Sequence, residues 1–172
     1  MSEKLVETIP VGTLGIIALE SSRALGNKVN DYIVKWRREK ESEHKSTIAF
    51  TGYQRDSYLV DASCPRFGSG EAKGHIRESV RGSDLYILLD VCNYNLTYNL
   101  FGQTNHMSPD DHYQDLKRVI AAVGGKARRI TVIMPFLYES RQHKRSSRES
   151  LDCALALQEL VNMGVESIIT FD

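Results

Sequence analysis

Arg129-Ile-Thr-Val-Ile-Met134, Pro135-Phe-Leu-Tyr-Glu-Ser-Arg-Gln-His-Lys-Arg-Ser-Ser-Arg-Glu-Ser150 and Leu151-Asp-Cys-Ala-Leu-Ala-Leu-Gln-Glu-Leu-Val-Asn-Met163 follow one another without a break. The first block reads as a buried strand, the last as a helix, and the middle block as the loop that joins them. Strand, loop and helix in direct succession are the repeating unit of an α/β sheet, and ligands of such sheets collect beyond the carboxyl ends of the strands. The loop carries Arg141, Lys144, Arg145 and Arg148. A phosphate-bearing ligand is the natural partner for that many guanidinium and ammonium groups.

Working outward, the same alternation continues in both directions. Leu14–Leu19, Asp84–Val91 and Ser167–Asp172 are short apolar runs bounded by turn chemistry, as expected of buried parallel strands. Thr47–Thr51 and Ser57–Val60 are weaker strand candidates. From Arg23 onward Leu25, Val29, Tyr32, Ile33 and Trp36 fall on one stripe of a helix, which predicts that this stripe faces inward. The charged stretch Glu39–Ser46 is read as a solvated helix end and loop, not as a domain boundary. Two glycines flanking Ser69 mark a turn within Cys64–Glu71, and Asn93–Met107 reads as a long loop. Ser108-Pro109-Asp110-Asp111 opens a helix by N-cap, proline and acid rules, and Gly124-Gly125 closes it. The segment Leu151–Met163 is apolar almost all round, which predicts cover on both sides, and Gly164 stops it.

The predicted fold is therefore a doubly wound, mostly parallel α/β sheet with helices on both faces. Residues 1–13 read as a lead-in and 14–172 as one domain. A buried last strand should deliver its final residue into the ligand crevice, yet nothing follows Asp172, so the chain looks cut before a further domain.

Composition narrows the function. The chain has 172 residues, 41% hydrophobic and 26% charged, an ordinary globular balance. Its 22 basic and 22 acidic residues cancel, so no overall field draws nucleic acid or an anionic membrane. No apolar run approaches the roughly 20 residues that span a bilayer, and no leader-like segment opens the chain. With Cys64, Cys92 and Cys153 at no metal-type spacing, a cytoplasmic protein is expected. His75, His106 and His112 lack partners at zinc spacing, no glycine-rich dinucleotide turn follows the first strand, and Gly124-Gly125 is no phosphate loop. Taken alone, Arg141–Arg148 would read as a solvated basic loop and His143 as a surface or hydrogen-bonded residue, while Glu71 reads equally as a residue that only closes its turn or as one that meets a ligand.

An ordered series of blocks changes that weighting: Arg66-Phe-Gly-Ser-Gly-Glu71, Glu78-Ser-Val-Arg-Gly82, Asp84–Leu89, Ile130–Pro135, Ser140-Arg-Gln142 with Arg148-Glu149, and Gly164–Asp172. Together they resemble the N-terminal domain of ribose-phosphate pyrophosphokinase, and the resemblance runs from Leu14 to Asp172. It implies a phosphoribosyltransferase-like fold and a magnesium-dependent transfer of the diphosphoryl group of ATP to ribose 5-phosphate, giving phosphoribosyl diphosphate and AMP for nucleotide biosynthesis. Carried over position by position, Arg66, Phe67 and Glu71, with Ser69 between them, match the turn that meets the adenine and ribose of ATP, often from a neighbouring subunit. Arg141 and Gln142, with His143 beside them, match the loop that holds ATP phosphate and base, and Arg148 matches the basic residue beyond it.

The departures carry information too. Ser69 stands where the family commonly has an acid, His143 replaces an aspartate, Glu139 and Tyr138 alter the loop entry, and Asn93–Met107 is longer than its counterpart. The resemblance places the main magnesium ligands and the ribose 5-phosphate site beyond Asp172, so no catalytic or metal residue is assigned here and these residues alone are expected to be inactive. A homo-oligomer through Leu151–Met163 or neighbouring surfaces is expected. The competing expectation is a non-catalytic regulatory or assembly subunit that pairs with a full-length synthase.

Overall fold

The computed structural model describes residues 10–42 and 55–171. In chain order the elements are β1 (Thr13–Ala18), a single 3-10 turn at Glu20–Ser22, α1 (Arg23–Ser42), β2 (Ala62–Ser63), β3 (His75–Ile76), β4 (Ser83–Leu88), β5 (Thr97–Leu100), β6 (Gln103–His106), α2 (Pro109–Val123), β7 (Arg129–Ile133), α3 (Asp152–Asn162) and β8 (Ser167–Ile169). The strand expected at Thr47–Thr51 lies outside the described residues.

Strands β1, β4, β7 and β8 form one sheet in the order β1-β4-β7-β8, with every neighbouring pair parallel. The Ser57–Val60 segment extends this sheet at its β1 edge. There the Ile16 amide donates to Tyr58 O at 2.8 Å and the Val60 amide to Ile16 O at 2.8 Å. Because side chains alternate along a strand, the apolar runs supply both faces at once. Ile17, Leu85, Ile87, Ile130 and Val132 pack beneath α2 and α3, against Leu116, Ile120, Ala156 and Leu160. Ile16 and Leu88 face the opposite way, toward Val34 of α1 and Tyr58. Helices thus flank both faces of a parallel sheet, as the sequence predicts.

Three expectations need correction. The inward side of α1 is Gly26, Val29, Asn30, Ile33, Val34 and Arg37; of the predicted stripe Val29 and Ile33 pack inward, whereas Leu25, Tyr32 and Trp36 are exposed. The rest of that side carries no apolar periodicity because two of its positions are glycine and asparagine. Each has a packing reason: a Cβ on Gly26 would lie 2.2 Å from Ala18 Cβ, so only glycine lets α1 rest on β1. Asn30 Oδ1 accepts the buried Tyr58 amide at 2.7 Å. The second correction is that 93–107 is not a structureless loop, since β5 and β6 form an antiparallel hairpin within it. The run through β5 does alternate, with Leu96, Tyr98 and Leu100 on the inner side, but its partner β6, Gln103-Thr-Asn-His106, is polar throughout and carries no such signal. Third, α3 buries only one side in this chain, Cys153, Ala156 and Leu160, and leaves Leu155 and Val161 more than half exposed.

Helix α2 begins as its sequence dictates. Ser108 Oγ accepts the Asp111 amide at 3.1 Å while the Asp111 carboxylate accepts the Ser108 amide at 2.9 Å, a reciprocal capping box with Pro109 at the first helical position. Gly124 closes the helix in the left-handed conformation.

Candidate functional site

The loop after β7 leaves the carboxyl edge of the sheet and is tied down by its polar backbone contacts. Gln142 holds it from inside: its side-chain amide donates to Ser150 O at 2.9 Å and Lys144 O at 3.3 Å, so both ends of the basic segment are gathered on one residue. Ser146 donates to Glu149 through its amide at 3.2 Å and its hydroxyl at 3.1 Å, and these bonds hold the Glu149 carboxyl below the usual carboxylate range. His143 Nδ1 lies 2.8 Å from Ser140 O. Among the described residues Arg141, Lys144, Arg145 and Arg148 form no ion pair, and all four are exposed. Arg141 lines a cavity of about 300 Å³ together with Cys92, Pro109, Phe136 and Tyr138. The cleft therefore lies between this loop, the end of β4 and the amino end of α2. An uncompensated guanidinium beside a helix amino terminus is an arrangement suited to an anion.

The turn that follows β2 is arranged differently. Arg66 and Ala72 pair as an isolated antiparallel bridge, the Phe67 amide donates to Glu71 O at 2.7 Å, and Gly70, at φ +86°, donates to Phe67 O at 2.9 Å. Ser69 Oγ donates to Glu71 Oε2 at 2.9 Å. Ser69 is thereby spent on orienting the carboxylate that follows it. Phe67 is half exposed and Glu71 is exposed.

Arg66 points the other way, into the protein. Its Nη2 lies 2.8 Å from Asp115 Oδ2, its Nη1 donates to Gly70 O at 3.3 Å, and its guanidinium lies 4.9 Å from the centre of the Tyr98 ring. Asp115 also accepts from Arg118 at 2.7 Å, so one carboxylate serves two guanidiniums. Burial pushes the Asp115 carboxyl up, opposed by the hydrogen bond from Arg118 and the charge of Arg66. Cys64 Sγ contacts Asp115 O at 3.6 Å, and burial pushes its thiol up to about 12.

The hairpin of β5 and β6 docks on this turn. A Cβ on Gly70 would lie 2.9 Å from Leu100 Cδ1, so the glycine makes room for the hairpin as well as the turn. The Phe101 amide donates to Gly68 O at 2.9 Å, joining the two turn tips directly. Leu100 pairs with Gln103 across a two-residue connection in which Phe101 has φ +47° and Gly102 φ +81°. Positive φ at both positions is the requirement of the tight hairpin turn that favours Asn-Gly. A bulky L-residue in the first of them costs about 1–2 kcal/mol.

The structure does not bring the two clusters into one cavity of this chain. Arg66 lines a separate cavity of about 240 Å³ with Ser21, Cys64, Tyr98, His112 and Asp115. The amino half of α2 stands between them: Asp111 and Asp115 face Arg66, while Asp110 Oδ1 accepts the Tyr138 hydroxyl at 2.7 Å. Tyr138 stacks on Tyr113 with ring centres 4.2 Å apart, and burial raises both phenols well above the usual range. Asp115 is marked by no motif and is signalled only by its spacing of four from Asp111 on α2, whereas Tyr138 stands out in sequence as a departure at the loop entry without its role as an anchor being visible there. Among the described residues no group of three or more His, Cys, Asp and Glu side chains converges as a metal site, and no helix is long and apolar enough to cross a membrane.

These features define a parallel α/β domain whose basic loop leaves the carboxyl edge of its sheet, the architecture of phosphoribosyltransferase-like N-terminal domains. The chain belongs to the family of N-terminal domains of ribose phosphate pyrophosphokinase, whose profile matches residues 14–164. It is 35% identical over 114 residues to ribose-phosphate pyrophosphokinase 1 of Schizosaccharomyces pombe, a match covering 65% of this chain and 24% of that protein. Against ribose-phosphate pyrophosphokinase of Vibrio parahaemolyticus it is 33% identical over 117 residues, covering 66% of this chain and 33% of the relative. The chain thus matches about a quarter to a third of the length of these relatives. The crystal structure of phosphoribosylpyrophosphate synthetase from Mycobacterium smegmatis superposes with a TM-score of 0.63 at 22% identity, over 92% of this chain and 42% of that one. That likeness carries the fold.

Proposed function

We propose that residues 14–172 are the ATP-handling domain of a ribose-phosphate diphosphokinase, which moves the diphosphoryl group of ATP to ribose 5-phosphate. The observation that carries this reading is the set of uncompensated cations, Arg141 foremost, on a loop stapled open by Gln142 at the carboxyl edge of β7. Diphosphoryl transfer asks a protein chiefly for positioning and for cations where charge accumulates. Arg141 would hold phosphate oxygens, Arg148 would add charge along the loop, and Gln142 and His143 would shape it.

In the same reading Phe67 and Glu71 receive the base and ribose, Ser69 orients Glu71, and Arg66 is a positioning residue that fixes the turn to α2 through Asp115. Since the cavity beside Arg141 includes neither Phe67 nor Glu71, a nucleotide contacting both the loop and the turn is best shared between two copies, in keeping with a homo-oligomer. The apolar outer side of α3, with Leu155 and Val161, is a candidate contact. Magnesium would accompany the nucleotide as the counter-ion of its phosphates, the ion's usual setting; the described residues offer no cluster of ligands for it.

Titrating magnesium-ATP into the protein and into Arg141→Ala tests the reading. Loss of a bidentate phosphate contact is expected to weaken binding about tenfold or more. Equal affinity removes the loop from the site. The alternative, a non-catalytic subunit that retains the fold, is favoured by Ser69 being spent within the turn; it predicts binding of a full-length synthase without nucleotide affinity of its own.

A further inference from the structure

We propose that Phe101, at the tip of the β5–β6 hairpin, is a specificity-determining residue that adds a second aromatic surface against the nucleotide base received by Phe67. The inference rests on the reading that the Phe67 turn meets that base.

Four observations lead to it. Phe101 is 81% exposed, so its ring contributes little to the core of this chain. It occupies a backbone conformation, φ +47°, that bulky side chains avoid and that asparagine or glycine would adopt at lower cost. Neither turn stability nor burial therefore accounts for a phenyl ring at this position. The backbone bond from Phe101 N to Gly68 O, together with Leu100 against Gly70, fixes the hairpin tip to the turn that carries Phe67.

The chemistry of the surroundings selects the kind of ligand. The hairpin is polar on both strands, with Thr97, Asn99, Gln103 and Thr104 exposed, and Ser69 and Glu71 lie across the turn. Two half-exposed or exposed rings set among hydrogen-bonding groups suit a flat heterocycle with polar edges better than an apolar protein face, which would extend over a continuous patch. Phe67 and Phe101 supply π surface, and the Glu71 carboxylate accepts from an exocyclic amine or a ribose hydroxyl.

The test compares magnesium-ATP with inorganic tripolyphosphate, which lacks the base, by calorimetric titration of the wild-type protein, Phe67→Ala, Phe101→Asn and Phe101→Trp. Phe101→Asn installs the residue the turn prefers, so its melting temperature is expected to equal or exceed that of wild type while its ATP affinity falls about fivefold or more, the effect of losing one base stack. Tripolyphosphate affinity should be unchanged, and Phe101→Trp should keep ATP affinity. If Phe101→Asn binds ATP as wild type does while Phe67→Ala does not, the proposal fails and the base reading stands. If neither substitution matters, or wild type binds no ATP, both fail. A loss confined to Phe101→Asn, or one shared equally by tripolyphosphate, overturns a common base contact.

Discussion

Arg66 and Asp115 form an ion pair at 2.8 Å that fastens the turn after β2 to the middle of α2, with both side chains only 12% exposed. Arg118 takes the other oxygen of the same carboxylate at 2.7 Å. A single anion thus serves two guanidiniums in a half-dry corner, and removing it strips Arg118 of its ion partner and leaves Arg66 only Asp111, 4.0 Å away. Asp115→Ala is expected to destabilise the fold by about 3–5 kcal/mol, the cost of an orphaned buried charge. Chemical denaturation measures this directly. A loss below about 1 kcal/mol would mean that water reaches Arg66 and that the turn is not anchored there.

Gly26 offers a case in which local propensity and packing have opposite signs. In an exposed helix, alanine is better than glycine by about 1 kcal/mol. Here the new Cβ would meet Ala18 Cβ at 2.2 Å, so α1 must lift from β1. Gly26→Ala is expected to cost about 1–3 kcal/mol, in the range of overpacked cores. The pair Ala18→Gly with Gly26→Ala should recover most of that loss. A stabilised single variant, in thermal melts, would contradict the close approach of the two elements.

The fold was legible because its sheet is buried on both faces. Leu14–Leu19, Asp84–Val91 and Arg129–Met134 are continuous apolar runs, and such runs announce parallel strands without reference to neighbours; β1, β4 and β7 fall within them, save Thr13 and Ser83 at two starts. The capping of α2 was equally legible, since Ser108, Pro109 and Asp111 act on the backbone beside them. Features set by distant contacts were not. The inward face of α1 depends on Ala18 and Tyr58, and the docking of the hairpin, whose second strand is polar throughout, depends on Gly70, none of which a local pattern reveals.

The candidate site divides along the same line. The cations of the 141–148 loop were visible as charge, and the structure leaves them uncompensated. Arg66 was visible only as a motif residue; its commitment to Asp115 needed the fold, because the two lie 49 positions apart. Phe101 drew no notice in sequence, since a phenylalanine before a glycine acquires meaning only when both have positive φ.

The three thiols should differ sharply in reactivity. Cys92 is exposed, Cys153 is buried, and burial pushes Cys64 up to about 12. At pH 8 only about 10⁻⁴ of a thiol with that pKa is thiolate, the reactive form. Iodoacetamide at pH 8 is therefore expected to label Cys92 first in the native protein and all three after denaturation, as read by peptide mass spectrometry. Early labelling of Cys64 would show that its contact with Asp115 O opens in solution.

Arg141 and Gln142 are adjacent in sequence and opposite in commitment. The Gln142 amide is consumed within the loop, on Ser150 O and Lys144 O, whereas Arg141 faces the cleft by Pro109 and Tyr138. Gln142→Ala removes both bonds, about 0.5–1.5 kcal/mol each, and should loosen the segment between them. Trypsin is then expected to cut after Lys144 and Arg145 several times faster than in wild type, with ATP affinity falling as a consequence of lost order. Arg141→Ala should leave the rate of cutting at those two bonds unchanged while weakening ATP. If Gln142→Ala lowers ATP affinity with no change in proteolysis, the amide contacts the nucleotide directly, and its role in the loop is the lesser one.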